Sequence, residues 1–279
     1  MADPTLPDFR LDGRVVVVTG GYGTLGREMS RGLLAAGASV VLLGLSASDA
    51  RSAAAEIDPS GARTLGVAAD VLDAEALAEA RDEVVGRFGR VDALVNTAGG
   101  NVAGATLSPG DSPFRLEPEA WRSVVDLNLL GTVLPTQTFG EAIAEHAGSP
   151  GGGAIINVSS MTATRVISRV VGYSTAKAAV DQYTRWMAVE LAQRTEGRVR
   201  VNAIAPGFFV ADQNRELLLN DDGSLTERGA DIVAHTPAGR FGEPEEVAGA
   251  VVFLCSPAAR FITGAVLPID GGFSAYGGF

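Results

Sequence analysis

Short runs of apolar and β-branched residues alternate along the chain with longer segments in which apolar residues recur at helical spacing. This alternation is typical of repeated βαβ units around a parallel sheet. Runs such as "RVVVVT" are apolar on both faces, so helices must cover both sides of the sheet. We therefore expect an α/β fold with a doubly wound parallel seven-stranded sheet in three layers. The pattern predicts strands at 14–19, 39–44, 63–68, 91–95, 153–158, 198–203 and 264–268, and helices near 25–36, 47–57, 73–88, 117–145, 172–194 and 243–255.

Two segments break the alternation: 99–116, rich in Gly, Pro and Ser, and 207–240, where short helical pieces and loops are expected. Ligands of open α/β sheets bind beyond the carboxyl ends of the strands, so loops inserted there can cover a substrate. We expect 207–240 to be such a cover. A length of 279 residues would allow two domains, but α/β folds often use this much chain in one, and we expect a single domain over 1–279.

The chain is acidic, with 33 Asp and Glu against 22 Lys and Arg, a formal charge of −11 and a pI near 4.7. Nucleic acid or an anionic membrane surface would repel it, so neither is an expected partner. No apolar run reaches about 18 residues, and "MADPTLPDFRLDGR" lacks the pattern of a secretion signal. We expect a cytoplasmic protein.

Metal and thiol chemistry are not indicated. The only histidines, His146 and His235, and the only cysteine, Cys255, form no cluster with metal-ligand spacing. No catalytic metal is expected. Cys255, in the apolar run "VVFLCSP", is either core filler or a nucleophile, and core filling is the commoner case.

The loop after the first predicted strand is rich in glycine. Gly21, Gly23 and Gly26 form a G-x-G-x-x-G between a strand and a helix in "VVVVTGGYGTLGREMS". Without side chains, such a turn lets backbone N–H groups and the helix N-terminus approach a pyrophosphate. Glycine turns also occur for conformational reasons alone, but the strand and helix context favours dinucleotide binding.

The end of the second predicted strand departs from the dinucleotide fingerprint. An acid there would hold a ribose 2′-hydroxyl, but 44–46 reads Gly-Leu-Ser. These positions contain no carboxylate that would repel a 2′-phosphate, and no arginine adjoins them to bind one. The nearest polar candidates are Ser46, Ser48 and Arg51. Asp70, after the third strand, is either an adenine-side contact or a helix N-cap.

The stretch "GYSTAK" holds Tyr173 and Lys177, the only lysine among 22 basic residues. Four residues apart at the start of a predicted helix, the two side chains share one face. An ammonium about 4 Å from a phenolate stabilises it by about 4 kcal/mol at an effective dielectric near 20, enough to lower the pKa of Tyr173 by up to about three units. Such a tyrosine could act as a general acid/base. The alternative is a solvated helix lysine.

Further motifs follow in order along the chain: Thr19-Gly20, Asn96-Thr97-Ala98-Gly99, Asn128 in "LNLLG", Ser160 in "INVSS", and Pro206-Gly207. With these, the chain resembles the classical short-chain dehydrogenase/reductases over nearly its whole length. The resemblance implies a Rossmann-type fold and hydride transfer between NAD(P)(H) and a carbonyl or alcohol carbon. It assigns cofactor binding to Gly20, Gly21, Tyr22, Gly23, Thr24, Leu25, Gly26, Ser46, Asp70, Val71, Asn96, Ala98, Gly99, Tyr173, Lys177, Pro206 and Gly207.

The resemblance also implies roles for four residues. Tyr173 would donate a proton to the carbonyl oxygen, and Ser160 would hold that oxygen. Lys177 would lower the pKa of Tyr173 and bind the ribose. Asn128 would hold a water in the proton path to Lys177, or it is an ordinary polar helix residue that needs a partner for its amide.

Two positions depart from the family pattern. Thr24 replaces the middle glycine of T-G-x-x-x-G-x-G, and Ala211 replaces a threonine that steadies the nicotinamide amide. Neither change removes a group needed for proton or hydride transfer. Because 44–46 carries neither an acid nor an arginine, we expect weak cofactor discrimination with a slight preference for NADP(H).

Several segments resemble the D-mannonate oxidoreductase or fructuronate reductase branch, which implies a six-carbon keto acid as the small-molecule substrate. A carboxylate needs a cation, so Arg165 and Arg169, between Ser160 and Tyr173, are candidate substrate ligands. Arg215 and Arg240, in the predicted cover, are weaker candidates. Other branches reduce 3-oxoacyl thioesters, steroids or polyols, and a protein that binds the dinucleotide without catalysis is a further alternative.

Two long predicted helices carry more apolar surface than one face of a sheet can bury. The family resemblance suggests that helices 117–145 and 172–194 pair across a two-fold axis, and that "GGFSAYGGF" at the C-terminus lies near another subunit. A homotetramer is expected.

Overall fold

The computed structural model describes residues 8–102, 104–108, 110–148, 152–211 and 214–278. Half of "MADPTLPDFRLDGR", two residues of the predicted cover and the last residue of "GGFSAYGGF" therefore lie outside the described residues. Within the described part, no helix has the length and apolar character needed to cross a membrane. The same residues contain no group of three or more His, Cys, Asp or Glu side chains placed to hold a metal ion.

The seven strands of the described chain form one parallel sheet in the order β3-β2-β1-β4-β5-β6-β7. The predicted doubly wound sheet is confirmed, and its strand order reverses between β1 and β4. The strands are β1 (Val15–Thr19), β2 (Ser39–Gly44), β3 (Thr64–Ala68), β4 (Ala93–Asn96), β5 (Gly153–Val158), β6 (Val199–Pro206) and β7 (Val266–Ile269).

Helices connect the strands and cover both faces of the sheet. They are α1 (Thr24–Ala35), α2 (Ala47–Ile57), α3 (Ala74–Phe88), α4 (Pro118–Val125), α5 (Gly131–His146), α6 (Val171–Arg194), α7 (Arg215–Leu218), α8 (Glu227–Ala234) and α9 (Ala248–Cys255). Short 3₁₀ turns lie at Pro113–Arg115, Met161–Ala163, Pro244–Val247, Pro257–Ala259 and Phe273–Ala275. The short helices α7 and α8 lie in the predicted cover segment 207–240.

The prediction of one regular helix over 117–145 was wrong. A π-helical turn, Asp126–Leu130, separates α4 from α5. In this turn the N–H of Gly131 bonds the carbonyl of Asp126, and Asn128 Nδ2 donates to the carbonyl of Val124 at 2.8 Å. Pro135, in the first turns of α5, has no N–H for the carbonyl of Gly131. π-helical turns often mark functional sites.

The core consists of two apolar layers, one on each face of the sheet. Val16 and Val18 of β1 face a layer built with α1 and α9, whereas Val15 and Val17 face a layer built with α3 and α5. This alternation follows from the two-residue period of a strand. Cys255 lies fully buried in the first layer, where it fills the core.

The functional residues predicted from the sequence lie at the carboxyl edge of the sheet. Thr19 ends β1, Asn96 ends β4, and Pro206 ends β6, while Ser160 lies two residues after β5. In an open parallel sheet, the crevice beyond these ends, where the strand order reverses, is the usual ligand site.

Candidate active site

In the glycine turn after β1, the positions of Gly20 and Gly26 have no room for a side chain. Gly20 has a left-handed φ of 61°, and a Cβ there would lie 3.1 Å from the backbone of Ala98. A Cβ on Gly26 would lie 2.3 Å from the carbonyl oxygen of Gly20. Helix α1 begins here, and its N-cap Gly23 offers no side-chain cap to the first N–H groups. The turn therefore fits a pyrophosphate held by backbone N–H groups and the helix dipole.

Thr19 fixes the glycine turn to the loop after β4. Its buried hydroxyl oxygen accepts the N–H groups of Thr97 and Ala98, both at 3.1 Å. These bonds hold together the two loops that flank the point where the strand order reverses.

A cavity of about 370 Å³ opens between these loops and extends to the ends of β5 and β6. Most of the predicted cofactor residues and three of the four predicted catalytic residues line it. The predicted residues on its wall are Gly20, Tyr22, Gly23, Thr24, Leu25, Gly26, Asp70, Val71, Ala98, Gly99, Ser160, Tyr173, Lys177, Pro206 and Gly207. The glycine turn and the Tyr-Lys pair therefore face one cavity.

Two predicted cofactor residues are placed inside the protein instead. Gly21 packs against β2, where a Cβ would lie 2.8 Å from Leu42 Cα. Asn96 is buried, and its Nδ2 donates to Thr136 Oγ1 and Asn157 Oδ1, both at 2.9 Å. Asn96 thus ties β4 to β5 and α5, and does not line the cavity as we expected.

The end of β2 is covered by the side chain of Tyr22. A Cβ on Gly44 would lie 2.3 Å from Tyr22 Cε1, and the Tyr22 hydroxyl accepts the N–H of Ser46 at 3.3 Å. Ser46 Oγ accepts the N–H of Asp49 and so caps α2. Ser46 therefore stands outside the cavity wall, to which Tyr22, Gly44 and Leu45 contribute.

Asp70 is not a helix cap. Its Oδ1 accepts the N–H of Leu72 at 2.9 Å, whereas Asp73 caps α3 by accepting the N–H groups of Glu75 and Ala76. Asp70 lines the cavity, which leaves the adenine-side alternative.

Tyr173, Ser160 and Lys177 converge on the cavity from two elements. Tyr173 and Lys177 lie one turn apart at the start of α6, and the Lys177 Nζ is 5.5 Å from the centroid of the Tyr173 ring. The same Nζ donates to the carbonyl of Val158 at 2.8 Å. Ser160 hydrogen-bonds Tyr173 and also accepts the N–H of Thr162 at 3.2 Å. The arrangement brings a phenol, a hydroxyl and an ammonium to one place.

Burial dominates the titration of this pair. It raises the pKa of Tyr173, and the hydrogen bond with Ser160 offsets only part of the shift. It also lowers the pKa of Lys177 to about 8, against the opposite influence of Asp181. We expected the pKa of Tyr173 to be lowered by the lysine, but burial raises it, and the Lys177 ammonium donates to the carbonyl of Val158.

Asn128, on the π-helical turn, holds the loop after β4. Its Nδ2 donates to the carbonyl of Gly100 at 2.7 Å, and its Oδ1 accepts the N–H of Gly100 at 3.0 Å. A Cβ on Gly99 would lie 2.7 Å from Asn128 Oδ1 and 3.2 Å from Lys177 Nζ, so only bare backbone separates the two. Since Gly100 and Val124 use both amide hydrogens, a water could bind only at Oδ1.

Arg165 and Arg169 lie outside the cavity wall. Arg165 Nε donates to the carbonyl of Ser274 at 2.7 Å, and its Nη2 donates to the same oxygen. Arg169 has a left-handed φ of 80°, rare for a residue other than glycine, and its carbonyl accepts the N–H of Leu107 at 3.0 Å.

The two arginines of the predicted cover also lie away from Tyr173. Arg240 forms a bidentate pair with Glu246, with both contacts at 2.7 Å. Arg215 and Arg240 line a separate surface pocket.

Sequence reasoning missed several residues of the cavity wall. Asn214 lies at the start of the cover, where its Nδ2 donates to the carbonyl of Phe209 and its Oδ1 accepts the N–H of Ala211. A polar residue shortly after a strand end is a detectable signal, but Leu127 and Phe209 carry no chemical signal. The wall residues outside the prediction are Gly44, Leu45, Ala69, Thr97, Gly100, Leu127, Val158, Ser159, Phe209, Ala211 and Asn214.

Comparisons with known proteins cover almost the whole chain. A family profile described as "Enoyl-(Acyl carrier protein) reductase" matches residues 21–274. An uncharacterized oxidoreductase, UxuB, of Bacillus subtilis is 41% identical over 277 residues, or 96% of this chain and 97% of its own. The D-threitol dehydrogenase of Mycolicibacterium smegmatis is 37% identical over 267 residues, or 96% of this chain and 95% of its own.

Solved structures match equally widely. A protein of Haemophilus influenzae provisionally described as a D-mannonate oxidoreductase, with bound NAD, is 38% identical, has a TM-score of 0.87 and aligns over 97% of this chain and 98% of its own. A gluconate 5-dehydrogenase of Burkholderia cenocepacia, in complex with NADP and tartrate, is 29% identical, with a TM-score of 0.85 over 97% of this chain and 98% of its own. The similar structures thus include both forms of the cofactor.

Proposed function

The chain belongs to the short-chain dehydrogenase/reductase family of oxidoreductases that act on CH–OH groups, and from that premise we propose that its substrate is a sugar acid of the D-fructuronate/D-mannonate type. The observation that carries the catalytic assignment is that Tyr173, Ser160 and Lys177 line the same cavity as the glycine turn. A carbonyl placed against this group would lie in the cavity that the glycine turn also lines.

NAD(P)(H), when bound, donates or accepts the hydride. In the reducing direction Tyr173 gives its hydroxyl proton to the substrate oxygen, while Ser160 donates a hydrogen bond to the same oxygen. Because burial raises the pKa of Tyr173, the phenol stays protonated at neutral pH, as a general acid requires. Lys177 provides a positive charge beside the phenol and binds the ribose. Asn128 keeps the loop at Gly99 in place and offers Oδ1 to a water.

The sugar-acid proposal rests on two relatives and on charge. One similar structure is provisionally described as a D-mannonate oxidoreductase, and another is a gluconate 5-dehydrogenase. Arg165 and Arg169 are the arginines nearest in sequence to Ser160 and Tyr173. Polyols are a second candidate class, favoured by the similarity to enzymes that oxidise D-threitol and galactitol.

The end of β2 bears on the choice between NAD(H) and NADP(H). The end of β2 offers no carboxylate, and Tyr22 covers Gly44. We propose weak discrimination with a slight preference for NADP(H), because nothing at 44–46 repels a 2′-phosphate.

The apolar surface of α6 supports a homotetramer. Trp186 is 56% exposed and Val189 is 57% exposed, although large apolar side chains are usually covered. Pairing of α6 with a second copy would bury both. Light scattering at micromolar concentration tests this, and a monomer would contradict it.

A substrate panel tests the catalytic proposal. The near-ultraviolet absorbance of NADH or NADPH is followed with D-fructuronate, other keto sugar acids and matched ketoses, and the oxidised cofactors are tested with D-mannonate, gluconate, threitol and galactitol. We expect turnover with a keto sugar acid and loss of that turnover in Tyr173→Phe. Cofactor binding without turnover of any compound would favour a non-catalytic dinucleotide-binding protein.

A further inference from the structure

Asp181 is a buried carboxylate that the proposed reaction does not use. It follows Lys177 by one turn of α6, so Tyr173, Lys177 and Asp181, at four-residue intervals, lie along one face of the helix. Asp181 is only 4% exposed, and Ser159 Oγ donates to its Oδ1. A buried acid needs such partners, because an unpaired charge in the interior is costly.

Two consecutive serines bond the first and the last of these three residues of α6. Ser160 hydrogen-bonds Tyr173 at one end. Ser159 donates its hydroxyl hydrogen to Asp181 at the other end, and its Oγ also lies 3.4 Å from the main-chain oxygen of Lys177. The loop after β5 therefore fixes the tyrosine and the aspartate relative to the lysine between them.

The charged groups that act on Asp181 all belong to α6. Lys177 lies one turn before it and Arg185 one turn after it, with Arg185 exposed at the surface. From the loop after β5, Ser159 contributes a hydroxyl, and the charged groups that act on the carboxyl are Lys177 and Arg185. Asp181 is thus the carboxylate one helical turn from the buried ammonium, whose own hydrogen bond goes to the carbonyl of Val158.

We propose that Asp181 is a positioning residue whose buried carboxylate, one helical turn from Lys177, keeps the Lys177 ammonium charged beside Tyr173. The expected effect of Asp181 on catalysis rests on the proposed function, whereas its effect on the charge of Lys177 does not. The charge on Lys177 would attract the ribose and the developing phenolate, and Asp181 would act only through Lys177.

The titration behaviour agrees with this placement. Burial lowers the pKa of Lys177 to about 8, and Asp181 is the group that opposes the shift. Burial also raises the pKa of Asp181, while Ser159, Arg185 and Lys177 act in the opposite direction. Each member of the pair therefore favours the charged form of the other.

Lys177 is the only lysine of the chain, which gives a direct test without substrate. Protein labelled with ¹³C-lysine has a single lysine side-chain signal, and its chemical shift against pH reports the Lys177 pKa. We expect a midpoint near 8 for the unmodified chain. Asp181→Asn should lower it by about one unit or more, because the ammonium loses an anion one helical turn away. Asp181→Glu, which keeps the charge, should restore much of the midpoint.

Two controls separate this effect from general changes in α6. Glu190→Gln is the same carboxyl-to-amide change on the same helix, where Glu190 pairs with Arg194, and should leave the midpoint unchanged. Arg185→Gln removes a cation near Asp181 and should not lower it. If Asp181→Asn does not fold, Asp181→Ser supplies a small neutral side chain for the same measurement. A midpoint within about 0.3 units of the unmodified chain in a folded neutral variant would overturn the proposal.

The same variants distinguish failure of this inference from failure of the proposed function. If the function is wrong, no substrate turns over, but the midpoint still shifts in Asp181→Asn. If only the inference is wrong, turnover is found and the midpoint does not move. With a substrate in hand, the upper limb of the kcat–pH profile should move to lower pH in Asp181→Asn and stay in place in Glu190→Gln.

Discussion

The ring of Tyr22 covers Gly44 so closely that a Cβ on this glycine would lie 2.3 Å from Tyr22 Cε1. The two residues are 22 positions apart, one in the glycine turn and one at the end of β2. The dinucleotide fingerprint places an acid near the end of this strand. Here an aromatic ring occupies that region, and its hydroxyl accepts the N–H of Ser46.

This contact leads to a prediction about cofactor choice. Gly44→Asp should displace Tyr22 and place a carboxylate at the end of β2, where the fingerprint has an acid for the ribose. That carboxylate would repel a 2′-phosphate. We expect the ratio of the NADPH and NADH dissociation constants to move towards NADH by about 10–100-fold, or ~1.4–2.7 kcal/mol. Fluorescence titration with both reduced cofactors measures the ratio.

Gly44→Ala is the control, since it also crowds the ring but adds no charge. An equal shift in Gly44→Ala would mean that displacement of Tyr22, and not charge, sets the preference. An unmodified protein that prefers NADH by more than about 100-fold, or ~2.7 kcal/mol, would contradict the proposed preference for NADP(H).

A second prediction concerns the tyrosine and the lysine. Tyr173→Phe removes the proton donor and should reduce kcat by about 10²–10⁴-fold, with nearly unchanged cofactor affinity. Lys177→Ala should impair both quantities, because in the proposed mechanism the ammonium binds the ribose and also provides charge beside the phenol. Steady-state rates and cofactor dissociation constants separate the two outcomes, and near-normal turnover by Tyr173→Phe would refute the mechanism.

The spacing of residues along the sequence was sufficient to predict the fold and much of the candidate site. The end of β1 at Thr19 follows from an apolar run, and the pairing of Tyr173 with Lys177 follows from helical spacing. Each of these features depends on residues close together in the sequence, where the backbone period alone determines geometry. Strand β6 extends to Pro206, three residues beyond its predicted end at 203.

The features that sequence reasoning missed depend on distant contacts. Asn128 lies on the π-helical turn that interrupts a predicted helix, and its side chain bonds the loop at Gly100, 28 residues away. Asn96 turns inward to Asn157, 61 residues away. The direction of the Tyr173 pKa shift depends on burial by the whole fold. Pairwise charge arguments from spacing therefore predicted the wrong sign.

A third prediction concerns pH. Because the pKa of Lys177 is lowered to about 8, the ammonium is charged below that pH and neutral above it. The pKa of Tyr173 is raised, so the phenol keeps its proton over this range. Carbonyl reduction should therefore fall as the pH rises through about 8, with loss of lysine charge as the cause. Profiles of kcat between about pH 6 and about pH 10 test this, and an unchanged rate up to the upper limit would contradict it.

A fourth prediction concerns stability. Asn128→Ala would leave the N–H and carbonyl of Gly100 and the carbonyl of Val124 without their present partner. The bond to Val124 is buried, whereas the two bonds to Gly100 are only partly buried. An unsatisfied buried polar group costs about 1–3 kcal/mol and a group that water can reach costs less, so we expect the free energy of unfolding to fall by about 2–4 kcal/mol. Urea unfolding measures the loss. Ser123→Ala, which removes an exposed hydroxyl on the neighbouring helix, should change it by less than about 0.5 kcal/mol.

The last prediction concerns recognition of a substrate carboxylate. Arg165 lies between Ser160 and Tyr173 in the sequence, yet its guanidinium donates to the carbonyl of Ser274. If Arg165 also binds the substrate carboxylate, Arg165→Met should raise KM for a sugar acid by one to two orders of magnitude, about 1.5–3 kcal/mol. The KM for an uncharged polyol or ketose should change much less. Arg169→Met should behave in the same way if that residue shares the role. Arg240→Met is the control, because Arg240 is already paired with Glu246, and it should not separate the two substrates. Equal changes for charged and neutral substrates in Arg165→Met would mean that the arginine serves only to hold the C-terminal segment against the active-site loop, and would favour a polyol as the substrate.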